Sequence, residues 1–218
     1  MIPLILRLKK NAHKEIAKAQ DLMMKAVYTV FDKAVLHGGT AIWRCYQGQR
    51  FSEDIDMYLP KDLVKIGRLF ETFARQGLVV VKKKVLENSI YASVMFNRTQ
   101  VRFEAVFKRV NGALKEYELV EGNYLTIYTL TPTELLREKA TAYTNRRKIR
   151  DLYDVFFLAR YVKEDAEART AVQTLLLKYE KAPDEKELKV LILEGVVPSV
   201  EKMIEYLQVW TDHGKAKI

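Results

Sequence analysis

The sequence predicts an α+β protein in two parts: a β-rich part with helices up to about Leu130, and an all-helical part beyond it. Three observations predict it. Up to Leu130, apolar runs of strand length are interleaved with stretches of helical period. Beyond Leu130 the strand-like runs stop. The residues at the change, Thr131-Pro132-Thr133-Glu134, read as a helix start, with Thr131 as cap, Pro132 at the first helical position and Glu134 at the third, a capping box. The expected domains are therefore residues 1–130 and 131–218.

In order along the chain, Asn11 to Asp32 has helical periodicity, with Ile16, Ala19, Leu22 or Met23, Ala26, Val27 and Val30 three and four apart. Ala34 to His37 is a short strand leading into two glycines, and Thr40 to Gln47 a turn or two of helix with Trp43 on its buried side. Asp54 to Leu59 is a second strand stopped by Pro60, and Lys61 to Arg75 a helix ended by Gly77. A β-rich stretch follows. Leu78 to Leu86 is valine-rich and contains Lys82-Lys83-Lys84; Ile90 to Asn97 and Gln100 to Lys108 alternate, with Asn97-Arg98-Thr99 as a hairpin turn; Tyr124 to Leu130 is a last β-branched run. The lysine triplet reads as an edge-strand guard against aggregation or, alternatively, as a nucleic-acid contact. The helical part breaks near Asn145, Lys163, Ala182-Pro183 and Gly195–Pro198, and His213 to Ile218 reads as a frayed basic tail.

Composition narrows the class. An apolar content of 49% with 30% charged residues is globular, not disordered or collagenous. The lone Cys45 excludes an internal disulfide and fits a reducing compartment. The opening apolar residues are too few for a signal-peptide core, and no run approaches the ~18–20 apolar residues of a membrane span. The expectation is a soluble, cytoplasmic protein. Of the net charge of +9, the part up to Leu130 carries 21 Lys+Arg against 13 Asp+Glu, a balance of +8, and the remainder 16 against 15. A basic field steers polyanions to a site, so a nucleic-acid partner is one reading and a lysine-rich solvated surface the other.

The stretch that organises the rest is Val35-Leu36-His37-Gly38-Gly39-Thr40, then Ala41 to Leu59. Gly38 and Gly39 allow the backbone to approach a bulky anion, and a helix start offers it free N–H groups. Asp54 and Asp56, two apart in a strand, share a face while Ile55 turns to the core. Two neighbouring carboxylates repel unless a cation lies between them, and a Mg²⁺ pair about 3.5–4 Å apart would both cancel that repulsion and clamp a phosphoryl group. The combination points to phosphoryl or nucleotidyl chemistry. In the strand Gln100 to Lys108, Glu104 is a carboxylate amid apolar residues, either a third metal ligand or the partner of a basic neighbour such as Arg102. His37 reads as a hydrogen-bonded scaffold residue, Cys45 as buried, and Arg44 as a phosphate candidate beside Arg50. Three histidines give no zinc spacing.

The pattern Gly-Gly-Thr-Ala, a spacer, then Arg50-Phe51-Ser52-Glu53-Asp54-Ile55-Asp56 resembles the first motif of the DNA polymerase β-like nucleotidyltransferases, and in this form is similar to the AbiEii/MenT branch, toxins of AbiE-type toxin–antitoxin pairs. The resemblance implies a nucleotidyltransferase domain with a mixed β-sheet flanked by helices, followed by a C-terminal helical bundle. It implies Asp54 and Asp56, with Glu104 as third acid, on Mg²⁺ or Mn²⁺, and Gly38, Gly39, Thr40, Arg50 and Ser52 at the nucleotide. A second block, Leu135-Leu136-Arg137-Glu138-Lys139-Ala140 with Arg146-Arg147-Lys148-Ile149-Arg150-Asp151-Leu152-Tyr153-Asp154-Val155, resembles the other conserved block of these toxins. There Lys139 would hold the triphosphate and Asp154 match the functional acid. Asp151 lies three residues earlier on the same helix face, and the two acids are not distinguished by spacing; one of them reads equally as an anchor for Arg147 or Arg150.

The expected activity is transfer of NMP from an NTP to an acceptor hydroxyl, which the resemblance places at a tRNA 3′ end, with an antitoxin encoded nearby. A protein hydroxyl as acceptor, and a GTP- or ATP-binding regulator without turnover, are the alternatives.

Overall fold

Seven strands form one mixed sheet in the order β3-β4-β5-β2-β1-β7-β6, in a computed structural model that describes residues 2–163 and 165–212. The expected tail, His213 to Ile218, lies outside the described residues. The chain divides into two compact units, 1–47 with 51–130, and 48–50 with 131–218. The short segment Gly48–Arg50 thus groups with the helical unit, a detour the sequence did not announce.

The first unit runs α1 (Leu4–Arg7), α2 (Asn11–Val30), β1 (Val35–His37), α3 (Gly38–Cys45), β2 (Ile55–Leu59), α4 (Leu63–Arg75), β3 (Val79–Val85), β4 (Ser89–Phe96), β5 (Thr99–Phe107), β6 (Ala113–Glu118) and β7 (Tyr124–Thr129). β1 is antiparallel to β2 and parallel to β7, and β2 is parallel to β5; the other pairs are antiparallel. Strand alternation gives the sheet two unlike faces. On one, Ile55, Met57 and Leu59 of β2, Val101, Phe103 and Ala105 of β5, and Ile90, Ala92 and Val94 of β4 are buried together. Helices α2 and α4 cover that face: Met23, Met24 and Val27 are fully buried, and Phe73 meets Phe103 edge-on at 5.4 Å. Each such side chain contributes roughly 1.5–3 kcal/mol of burial. The opposite face of the same strands carries Asp56, Tyr58, Arg102 and Glu104, all partly accessible.

Two elements were not foreseen. β6 has one fully buried side chain, Tyr117, and no β-branched residue, so neither alternation nor propensity marks it; pairing with β7 makes it a strand. α1 is only four residues, anchored by buried Leu4 and Leu8 and by the Ile5 N–H donating to the Val120 carbonyl at 2.9 Å.

The second unit contains α5 (Pro132–Arg146), α6 (Ile149–Leu158), α7 (Ala166–Leu177), a 3-10 turn (Glu185–Glu187), α8 (Leu188–Leu191) and α9 (Val200–Asp212). The capping box is present: the Thr131 hydroxyl accepts from the Glu134 N–H, and the Glu134 carboxylate accepts from the Thr131 N–H at 2.8 Å. α5 ends where Arg147 enters the left-handed region, φ 50°, and its N–H still donates to the Tyr143 carbonyl. The core is built from Leu135, Leu136, Ala140, Leu152, Val155, Val172, Met203 and Leu207. Gly48–Arg50 joins it through a bridge between Arg50 and Ile192 and a Leu193 N–H to Gln49 carbonyl bond of 2.8 Å. Among the described residues no helix is long and apolar enough to cross a membrane.

Candidate active site

The acidic centre of the first unit is set by register. His37 on β1 is paired with Asp56 on β2, and Asp56 with Glu104 on β5. Residues in register on neighbouring strands point to the same face about 5 Å apart, so Asp56 and Glu104 stand side by side on the face that α2 and α4 leave open. The His37 ring stacks on Tyr58 at 4.0 Å, a packing role that orients the end of β1.

From His37 the chain turns directly into α3, two residues earlier than periodicity indicated. Gly38 sits at φ 71°, the left-handed region that only glycine enters without cost. A Cβ at Gly38 would also lie 3.1 Å from Cγ and 3.2 Å from Cβ of Asp56, and collide with its Oδ2. The Asp56 carboxylate is therefore laid against bare backbone, and Gly38 is required twice, for its dihedral and for its missing side chain. Gly39 is buried behind it in the first turn of α3. Thr40 is fully buried, and its hydroxyl donates to the backbone carbonyl of Asp54 at 2.5 Å. Its side chain thus fixes the entry to β2. Ser52 is buried, with its carbonyl accepting from the Gln20 amide at 2.9 Å.

Asp54 precedes β2 and is clamped by Arg102, whose Nε donates to Oδ1 at 2.8 Å and Nη2 to Oδ2 at 2.5 Å. The Asp54 hydrogen bond, against a smaller loss from burial, holds the Arg102 guanidinium above its ordinary range, with Glu104 adding to it. Arg102 was a candidate partner for Glu104; its bidentate contact goes to Asp54 instead. Among the described residues no three His, Cys, Asp or Glu side chains converge as a metal-binding group. Asp56 and Glu104, two hard oxygen donors on one rung against a glycine, fit a divalent cation. Asp54 would join them by exchanging Arg102 for it.

Arg44, a phosphate candidate from sequence, is turned inward and engaged by its own unit. It is 2% exposed, paired with Asp21, with Nε donating to the Glu118 carbonyl at 2.6 Å and its guanidinium 4.5 Å from the Tyr117 ring. Cys45 is half-buried, more open than expected. The cavity of about 620 Å³ that both residues line is bordered by none of the carboxylates above.

The second unit holds a separate buried ionic cluster. Arg50 donates from Nε and Nη2 to the two oxygens of Asp154, each at 2.6 Å. Lys139 lies 2.9 Å from Asp154 and 3.4 Å from Asp151, and Arg146 grips Asp151 through two bonds of 2.7 and 2.8 Å. Both aspartates are fully buried and Lys139 is nearly so. Burial alone would push the Asp154 carboxyl up; Arg50 and Lys139 outweigh it and hold it below the ordinary carboxylate range. Burial likewise opposes the Arg50 charge, and Asp154 overrides it. Asp151 and Asp154 are thus both engaged, one on Arg146 and one on Arg50, with Lys139 shared. The suggested anchors Arg147 and Arg150 are not their partners; Arg147 pairs with Glu180. The guanidinium expected at a phosphate, Arg50, is turned inward because a planar fork matches a buried carboxylate at both donors.

An open sheet face with paired acids beneath a glycine-bearing helix start fits one class of enzyme, the nucleotidyltransferases. The family model "Nucleotidyl transferase AbiEii toxin, Type IV TA system" matches residues 22–204, and the chain belongs to that family. It is a nucleotidyltransferase toxin, for which membership implies a nucleoside triphosphate substrate and a cognate antitoxin. Among solved structures it is similar to the nucleotidyltransferase toxin MenT4 from Mycobacterium tuberculosis H37Rv, with 18% identity and TM-score 0.67 over 95% of this chain and 85% of that one. JHP933 from Helicobacter pylori gives 18% identity and TM-score 0.66 over 95% and 94%. Both share the mixed sheet and helical fold. No curated protein matches the sequence significantly.

Two outcomes test this geometry. Gly38→Ala should retain the fold with a loss of about 1–2 kcal/mol for the left-handed backbone, while displacing Asp56 lowers nucleotidyl transfer on the order of 10²-fold; wild-type turnover in that variant would show that the contact has no role. For Asp154, the depressed carboxyl means that its stabilisation is complete above about pH 4 and is lost as pH falls through the lowered value. Asp154→Asn should be destabilised by about 3–5 kcal/mol near neutrality, a gap in denaturant midpoint that closes only in strong acid; a gap already closed at pH 5 would contradict the assignment.

Proposed function

We propose that this toxin transfers NMP from an NTP to an RNA hydroxyl, with a tRNA 3′ end as acceptor. The observation that carries the reading is the rung on which Asp56 and Glu104 lie side by side with Gly38 against the Asp56 carboxylate. Asp56 and Glu104, joined by Asp54, would hold Mg²⁺ or Mn²⁺, which when bound supplies charge neutralisation on the phosphates. The acceptor oxygen forms the new bond to the α-phosphorus as the α–β bridging bond breaks, and pyrophosphate leaves. The chain's contribution is position and charge.

The Gly38-Gly39 turn places the first turn of α3, where a helix directs its N–H groups outward, toward phosphate oxygens. Thr40, by gripping the Asp54 carbonyl, keeps the Asp54-Ile55-Asp56 segment extended, so both carboxylates share a face. Ser52, two residues before Asp54, is proposed to contact the triphosphate. Arg50, committed to Asp154 by two donors, is a positioning residue. Lys139 is proposed to contribute charge to the triphosphate, a role supported by its place in the second conserved block. The basic balance of residues 1–130 supports a polyanionic acceptor.

Incubating the protein with each labelled NTP and either cellular RNA or cellular protein tests the reading: label should enter RNA at its 3′ end, require Mg²⁺ or Mn²⁺, and stop with a chelator. Label in protein alone would establish protein nucleotidylation instead. In the same assay Asp56→Ala should drop transfer below detection with unchanged circular dichroism, since its carboxylate faces away from the core; persistent RNA labelling would remove Asp56 from the site. Lys139→Ala should weaken nucleotide affinity roughly tenfold. An unchanged affinity together with lowered stability would leave Lys139 as the cation that neutralises Asp151 and Asp154.

A further inference from the structure

The lysine triplet is not one feature but two. Lys83 turns to the helix-covered side, its ammonium 4.8 Å from the Phe70 ring of α4. Lys82 and Lys84 point the other way. Lys84 is in register with Tyr91 of β4, Tyr91 with Glu104 of β5, and Glu104 with Asp56 of β2. Four side chains on four consecutive strands therefore form one line across the open face, from the edge of the sheet to the acidic centre. At ~4.8 Å per strand, Tyr91 lies about 10 Å from Asp56. Lys82 shares that face through its pairing with Ser93, and its ammonium is 5.7 Å from the Tyr91 ring. Lys82 and Lys84 are exposed and Tyr91 half-exposed.

Guarding an edge needs only charge somewhere along the strand. It does not require two ammonium groups on the carboxylate face with an aromatic ring between them and the acids. That arrangement fits a chain that carries anions at intervals and planar rings between them. We propose that this face of β3, β4 and β5 is the track for the single-stranded end of the RNA acceptor, with Tyr91 stacking a base and Lys82 and Lys84 holding phosphates. The inference deepens the RNA-acceptor reading above and depends on it. A single strand is specified because stacking on a side chain needs an unpaired base. The lysines also offset the repulsion that Asp56 and Glu104 exert on an incoming polyanion.

The test measures binding of a fluorescent single-stranded RNA oligonucleotide to the full chain by anisotropy over a salt series, with NTP affinity measured in parallel. Lys82→Ala/Lys84→Ala should weaken RNA binding roughly tenfold at low salt and flatten the slope of log K against log salt by about 1.4, near 0.7 for each phosphate no longer neutralised. Tyr91→Ala should cost about fivefold or more, and Tyr91→Phe should restore affinity because stacking survives. Lys83→Ala, on the opposite face, should bind RNA as the wild type does, and NTP affinity should be unchanged throughout. If the wild type binds RNA while the double variant keeps its affinity and slope, the track is overturned and the acceptor reading survives. If the wild type binds no RNA, or labels protein instead, both are overturned.

Discussion

The acidic centre of the sheet depends on one steric fact, that Gly38 has no side chain where Asp56 needs room. A β-strand turned directly into a helix brings backbone, not side chain, against the neighbouring strand. Only there can a carboxylate be laid flat beside the first turn of a helix. The short strand β1 fixes the height of that contact through the His37–Asp56 pair, and the parallel partner β5 delivers Glu104 to the same level. The apolar residues of β2 and β5, locked under α2 and α4, make slippage costly, because a one-residue shift would exchange Asp56 for Met57 or Ile55.

The helical unit uses charge in the opposite manner. Its two aspartates are fully enclosed and satisfied by three cations, an arrangement in which desolvation nearly cancels attraction and each partner is expensive to remove. Such a cluster specifies one arrangement of α5, α6 and the Gly48–Arg50 segment rather than adding much net stability. It also explains why Arg50, adjacent in sequence to the acidic strand, belongs structurally to the helices: its guanidinium finds its carboxylate 104 residues away.

Much of this was legible beforehand, and the illegible remainder has physical reasons. The glycine turn, the alternation around Asp56 and the capping box at Thr131 are local signals, set by dihedral preference and strand period. Glu104 was recognisable as an anomaly within an apolar strand, but its neighbour was not, because strand order is not written in any one segment. That Arg102 clamps Asp54 with two donors was hidden for that reason. Likewise β6 lacks a propensity signal, and the fate of Arg44 and Arg50 depends on carboxylates far along the chain. The lysine triplet could be read as a charge but not as a split between two faces, since that follows from pairing with Tyr91 and Ser93 and from the shift in register between Val80 and Lys82.

The arginine clamp on Asp54 has a consequence for how the sheet carries its charge. Arg102 neutralises Asp54, the acid at the entry to β2, so the repulsion between Asp54 and Asp56 is lowered from within the chain. The counter-charge for Asp54 is thus carried by the polypeptide itself, and at that position the sheet needs none from outside.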